Sequence, residues 1–420
     1  MDQISFTFDI LKTVLTVLLY YWWVYLPILL FLAVFVSFDY YNKLKYFNSL
    51  KWVLLEMRFP RDLHRSPKAA EQVFAGLHAI TLPIKWYEKF FMGKIPDWLS
   101  FEIVGVSGES HFYVRTPEQY KNLVEAQVYA QYSEAELIEV PDYVDELPDN
   151  LPDEKYDLWG SELILEKEDA YPIRTYPDFE ESGGGKDDIK RVDPLSSLVE
   201  LMSMLHPGER IWIQMIIRPI GEEWVKKAEA VVDKILGRTP KASKESLASR
   251  IVFGIDSAIS SAVPSSPDAL PVKPEKKERV ELTPGKQAVV KEIERSMAKF
   301  AYESGIRFLY ISPRESFHRA HVAGILGTYK QFSTHNLNGF KMNKLAMTSA
   351  KGLFKKSREL NKKLFLYSQY KNRRYPLQWF VLNIEELATI YHFPDVGVRA
   401  PLLPRIEAKK SEPPVGLPTV

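Results

Sequence analysis

The chain contains no cysteine. Disulfides and thiolate metal sites are therefore excluded, and the composition fits a reducing compartment. No Walker A loop, GxGxxG, HExxH or GxSxG occurs in the 420 residues. The familiar signatures of nucleotide cradling, zinc proteolysis and serine hydrolysis are thus missing. The Gly183-Gly184-Gly185-Lys186 run lacks a following Ser or Thr and sits among acids, so it reads as a loop. Overall charge is nearly balanced, with 55 Lys and Arg against 54 Asp and Glu. From one stretch, residues 13–38, charge is missing altogether.

That charge-free stretch is 26 residues long and almost wholly apolar. A helix rises about 1.5 Å per residue, so about 20 residues cross a 30 Å hydrocarbon core. Pro27 is tolerated in such a helix, and Tyr20, Tyr21, Trp22, Trp23 and Tyr25 resemble an interfacial belt. A cleavable signal peptide would have a basic leader and a shorter core, whereas Asp2 and Asp9 precede this one. Lys12 stands alone before the run, while Lys43, Lys45, Lys51 and Arg58 follow it. The positive-inside bias then predicts a single pass through the inner (cytoplasmic) membrane, with the N-terminus out and the bulk cytoplasmic.

The remainder reads as α+β. Residues 51–59 alternate as a strand. Ser66-Pro67 opens a helix over 67–80 with Val73, Phe74, Leu77 and Ile80 on one face. Strands at 99–107 and 110–115 flank a Ser107-Gly108 turn, Thr116-Pro117 opens a helix over 117–131, and 134–140 closes the set. The order predicts a ferredoxin-like (βαββαβ) sandwich. It recurs with a short strand at 162–167, an Asp193-Pro194 helix start, strands at 210–220 and 306–311, and a helix over 315–331. We therefore expect one transmembrane helix followed by two ferredoxin-like sandwiches, the second interrupted by a flexible insertion.

The expected boundaries are an extracytoplasmic N-terminus over 1–12, the span over 13–38 and the first sandwich over 39–140. An acidic connector over 141–192 carries the first strand of the second sandwich, which occupies 193–395 and is followed by a Pro-rich tail over 396–420. Within the second sandwich, helices over 222–236 and 284–303 bracket a Lys-, Ser- and Pro-rich linker, 238–285. Inside that linker Ile251, Ile255, Ile259 and Val263 recur every four residues, as in a short amphipathic helix. A strand at 378–382 leads into Asn383 and Glu386, spaced as a capping box.

Two charge blocks stand out. Residues 134–189 hold 19 acids against 4 bases, and residues 339–375 hold 11 bases against one acid. In the basic block Lys351, Lys355, Lys356, Arg358, Lys362, Lys363, Arg373 and Arg374 are interleaved with aromatics, a pattern suited to phosphates and stacked bases. Helical spacing places Lys351, Lys355, Arg358 and Lys362 along one face. Anionic lipid headgroups would be drawn to the same face, and a plainly solvated helix has the same composition. His318 and His321 are three apart but lack a third ligand, so they read as a polar pair. No catalytic, metal-binding or cofactor-binding residue is expected.

The stretches Val53-Leu54-Leu55-Glu56-Met57-Arg58-Phe59-Pro60-Arg61, Ser66 to Phe74, Leu77-His78, Glu125 to Tyr132 and Leu382 to Thr389 resemble a membrane-anchored family of candidate-phyla (Patescibacteria-type) bacteria. His392-Phe393-Pro394, Glu412-Pro413-Pro414 and Leu417-Pro418 are similar to the region preceding the motor domain of type IV secretion or conjugation ATPases of the coupling type. The P-loop domain of that family does not follow here, since the sequence stops at Val420. The resemblance implies a membrane-tethered, non-catalytic subunit of a DNA-translocating apparatus. The partners it implies are a separate P-loop ATPase, the membrane, DNA and further copies of the chain. The alternatives are a membrane-bound hydrolase with an unrecognised site and a plain membrane scaffold without a nucleic-acid role.

Overall fold

The computed structural model describes residues 12, 16, 20–60, 66–81, 83–182, 189–191, 193–238, 282–394 and 405–406. The expected amphipathic helix at 251–263 and the Gly183–Lys186 loop lie outside the described residues, as does most of 13–19. Helix α1 (Trp22–Ser49) is 28 residues long, with Pro27 inside it. It is long and apolar enough to cross a membrane, and the body buries none of its apolar window. The helix continues past Phe38 through an Asp39–Lys43 ion pair before ending at Ser49. The loss of apolar character after Phe38 therefore does not coincide with the end of the helix.

The first half of the body is β1 (Trp52–Pro60), α2 (Lys68–Leu77), α3 (Trp86–Phe91), β2 (Leu99–Val106), β3 (Glu109–Pro117), α4 (Lys121–Gln131) and β4 (Glu136–Glu139). Its strands lie in the order β4-β1-β3-β2. The second half is β5 (Tyr156–Leu165), a small β6–β7 hairpin (Glu180–Ser182, Ile189–Arg191), α5 (Ser196–Ser203), β8 (Arg210–Pro219), α6 (Glu223–Ile235), α7 (Pro284–Met297), β9 (Ala301–Pro313), α8 (Arg319–Lys330) and β10 (Phe340–Met342). Leaving the small hairpin aside, its strands lie in the order β10-β5-β9-β8, the same permutation. Helix α9 (Lys355–Lys371), β11 (Phe380–Asn383), α10 (Ile384–Ile390) and β12 (Arg405–Ile406) complete the described chain.

The halves do not stand apart as two sandwiches. Strands β2 and β8 pair antiparallel from Leu99↔Ile217 to Val106↔Arg210, so one sheet runs through both. They differ at the central hairpin. In the first half Ser107 and Gly108, both at positive φ, make a two-residue turn. In the second, α6 and α7 intervene and pack on each other through Trp224, Ala228, Val290 and Ile293.

Several boundaries move from expectation: β3 runs through Pro117 so that α4 begins at Lys121 instead of 117, and α8 begins at Arg319 instead of 315. Helix α7 ends at Met297 and β9 begins at Ala301, because Ala301 to Ser304 pair with β11 while β8 pairs along the other edge. Strand β5 starts at Tyr156, earlier than expected, because Asp157, Gly160, Ser161 and Glu162 hide its alternation. The capping box forms, with Asn383 Oδ1 accepting from the Glu385 and Glu386 amides and Glu386 accepting from the Asn383 amide.

One sheet face carries α2, α4, α5, α8 and α10 on a core that includes Phe74, Val124, Val199, Ile325 and Leu387. The other is covered by α9 and the turn at Tyr143–Glu146, with Leu366, Tyr367 and Tyr370 packed on Val104, Trp212 and Leu309. Side chains of this size contribute about 2–3 kcal/mol each when fully buried. This second face places the basic helix against the acidic connector.

Candidate functional site

The basic stretch divides in two. Toward its C-terminal end Lys363, Lys371 and Arg373 each have a carboxylate partner. Lys363 Nζ lies 2.6 Å from Asp157. Lys371 Nζ lies 2.7 Å from Asp149 and 3.3 Å from Asp145. Arg373 is 1% exposed and uses all five of its N–H groups. It grips Glu102 through Nε and Nη2, both at 3.0 Å, and Asp142 through Nη1 and Nη2 at 2.6 and 2.8 Å. Arg373 therefore leaves the set of candidate contacts, and Lys363 is half-buried in a structural pair. Lys362 donates to the carbonyls of Lys344, Met347 and Ser349, so it fastens the preceding loop. Arg374 is exposed, and its carbonyl accepts from Arg307.

The N-terminal end is different. Lys351, Lys355, Lys356 and Arg358 are exposed. Among the described residues the one carboxylate near them is that of Glu359, 3.9 Å from Lys355, and Arg358 Nη1 donates to the Lys351 carbonyl at 3.1 Å. Lys351 precedes the helix instead of extending its face, because Gly352 (φ +89°) and Phe354 (φ +57°) break the backbone there. A positive φ is costly for a bulky residue. Phe354 is also 82% exposed beside exposed Leu353, so burial does not offset that cost. Lys355, Lys356 and Arg358 occupy the first turn of α9, the positive end of its dipole, where cations are disfavoured. Local stability is thus sacrificed to a protruding cationic tip.

Beneath α9 lies a polar row that sequence reasoning missed. Glu162, Arg307, Gln214, Glu102, Tyr113 and Glu56 are successive register partners across β5, β9, β8, β2, β3 and β1. Burial alone would raise the Glu102 carboxyl, but Arg373, Ser100 and Tyr143 bring it down to about 2. Burial holds Glu162 above its usual value even though Arg307 lies 3.2 Å away. A signal was present in the sequence at β8, where Gln214 interrupts the apolar run Ile211 to Ile217, and at β2, where Glu102 sits between Phe101 and Ile103.

Other clusters serve the fold. Glu386 is pushed by burial up to about 8, and both its oxygens accept backbone N–H groups, from Asn383 and Ile173. Glu385 gathers Arg295, Lys299 and Thr175, tying α10 to α7 and to the connector. His321 approaches Glu209 at 3.6 Å, while His318 begins α8. Among the described residues no three His, Asp or Glu side chains are placed to hold a metal ion. An open cleft of about 1120 Å³ beside α6 is lined by Glu166, Glu168, Asp169, Glu223 and Glu303 together with Lys167, Lys227 and Lys341, so charges of both signs share it with acids in excess.

These features define a mixed helix-and-sheet protein: an antiparallel sheet coated by helices, with one N-terminal helix apolar enough for a membrane and a cationic tip on the covering helix. The chain belongs to the DUF8128 family, a domain of unknown function, which it matches over residues 36–401. The match begins inside α1 and runs past α10. No curated protein matches the sequence.

Proposed function

We propose that the protein is a membrane-tethered, non-catalytic subunit of a DNA-translocating apparatus of the type IV secretion or conjugation kind, holding or assisting a separate P-loop ATPase. The cationic tip of α9 carries this reading. Four exposed cations stand together, three of them at a helix N-terminus whose dipole also favours an anion. Leu353 and Phe354 beside them offer apolar surface for stacking. The family resemblance in the sequence supplies the machine, and the tip supplies a surface for a phosphate backbone. We read α1 as a single-pass anchor in the cytoplasmic membrane with the body inside, because Lys43, Lys45, Lys51 and Arg58 follow the apolar run. We read the body as two ferredoxin-like units fused edge to edge, since each half repeats one strand permutation.

The test uses the full chain in nanodiscs of neutral lipid, titrated with duplex DNA at several salt concentrations. Binding should weaken steeply with salt. In a variant carrying K351E, K355E, K356E and R358E the log–log salt slope should flatten by about 3–4, since each phosphate left without its cation removes about 0.9. Absence of DNA binding, or binding unchanged in the variant, overturns the nucleic-acid role.

A further inference from the structure

Helix α3 is held against α1, the stem of the molecule, and buries none of its own residues. Asn42 of α1 donates from Nδ2 to the Phe90 carbonyl at 3.3 Å, and the Phe35 and Phe90 rings lie 5.8 Å apart. Gly93, at φ +63°, ends the α3 segment so close to α1 that a Cβ there would lie 2.2 Å from the Asn42 backbone carbon. The contact is therefore built for two backbones in close approach. The Lys94 amide donates to the Glu88 carbonyl, closing the helix end.

What α3 presents outward is apolar. Trp86 is 70% exposed, Phe91 65% and Met92 62%, with Phe90 exposed beside them. Lys85 and Lys89 are exposed alongside, able to snorkel from an apolar surface. The height on the stem is informative. The contacts bracket the point where α1 turns from apolar to charged: Phe35 precedes Phe38, and Asn42 follows Asp39. Seven residues of helix cover about 10 Å, the depth at which interfacial helices lie.

We propose that α3 is an interfacial ledge whose Trp86, Phe91 and Met92 enter the lipid bilayer at the headgroup boundary, with Lys85 and Lys89 on phospholipid phosphates. The occupant is lipid because this surface is continuous with the apolar stem and carries the aromatic and cationic pairing of membrane interfaces. A single helix would leave the body free to swing; stem and ledge together fix its height and tilt. This inference rests on the reading of α1 as an anchor.

The missing cysteines make the test clean. The full chain carrying F91C alone, or F31C alone, is nitroxide-labelled and reconstituted in phosphatidylcholine–phosphatidylglycerol vesicles. Collisional broadening by oxygen and by a water-soluble nickel chelate is then compared. Both labels should respond to oxygen and lose the nickel response. If the F91C label responds to nickel as an aqueous site while F31C does not, the ledge is overturned and the anchor stands. If F31C responds to nickel as well, the anchor itself fails. If F91C is shielded from both reagents, a protein partner or a second copy covers α3, and the lipid assignment is overturned.

Discussion

Lys363, Lys371 and Arg373 share a helix and its following turn with Lys355, Lys356 and Arg358, and composition does not separate them. The first three meet Asp157, Asp145, Asp149, Glu102 and Asp142 of the acidic connector and β2. The second three are exposed and, among the described residues, have no acid partner beyond the 3.9 Å approach of Glu359 to Lys355, and Arg358 Nη1 donates to the Lys351 carbonyl. The acidic and basic blocks, far apart in sequence, are therefore partners in part, through Lys363, Lys371 and Arg373. Half of what looked like an anion-binding segment holds the covered face of the sheet shut. Only the surplus that the connector does not reach is free for a partner.

Arg373 is where this contrast breaks most severely. R373M leaves Glu102 buried without its cation, and removing one member of a buried pair costs about 3–5 kcal/mol. The thermal unfolding midpoint in nanodiscs should fall by many degrees. R373K should recover little, because an ammonium cannot grip two carboxylates at once. Adding E102Q to R373M should restore part of the loss. A drop equivalent to less than about 1 kcal/mol in R373M would show that the pair is not what holds α9 down.

Acid probes the same pair with a somewhat smaller effect. The folded Glu102 carboxyl lies at about 2, below its ordinary value. A depressed acid contributes stability that is present above its unfolded pKa and is lost as pH falls through the folded one. The window runs from near 4.5 down to about 2, and the shift corresponds to about 3 kcal/mol at one decade per 1.36 kcal/mol. Chemical denaturation at pH 6, 4 and 2.5 should show wild type losing more stability than E102Q. Equal losses would assign the acid sensitivity to other carboxylates, such as Glu56 or Glu385, which are also depressed.

The parts of this architecture visible in sequence are those governed by local rules. Ser107-Gly108 gives the first hairpin, Asn383 with Glu386 gives the cap of α10, and the repeated order of elements anticipates the repeated strand permutation. Long-range pairing was not visible. No local property of LSFEIVGV or RIWIQMIIRP says that β2 and β8 join edge to edge, or that Glu102 and Gln214 become neighbours. A charge count cannot tell Lys371 from Lys356, because the distinction lies in which segment folds over which. Helix α3 was overlooked for a related reason. Its six residues are too few for periodicity to register, and the significance of Trp86 and Phe91 depends on the stem beside them.

The smallest expected effect differs in sign between the two ends of α9. K363E puts a carboxylate where Lys363 meets Asp157 at 2.6 Å, so a half-buried attraction becomes a repulsion. That change should cost about 1 kcal/mol, in the range of partly exposed pairs. K355E with K356E replaces two cations at a helix N-terminus by anions, which the dipole favours by about 0.3–1 kcal/mol each. The double variant should therefore be no less stable than wild type while losing affinity for DNA. Urea midpoints of the two variants, measured side by side in nanodiscs, should move in opposite directions. If both fall, the first turn of α9 is engaged with the body like the last, and its cations are not held in reserve for a partner.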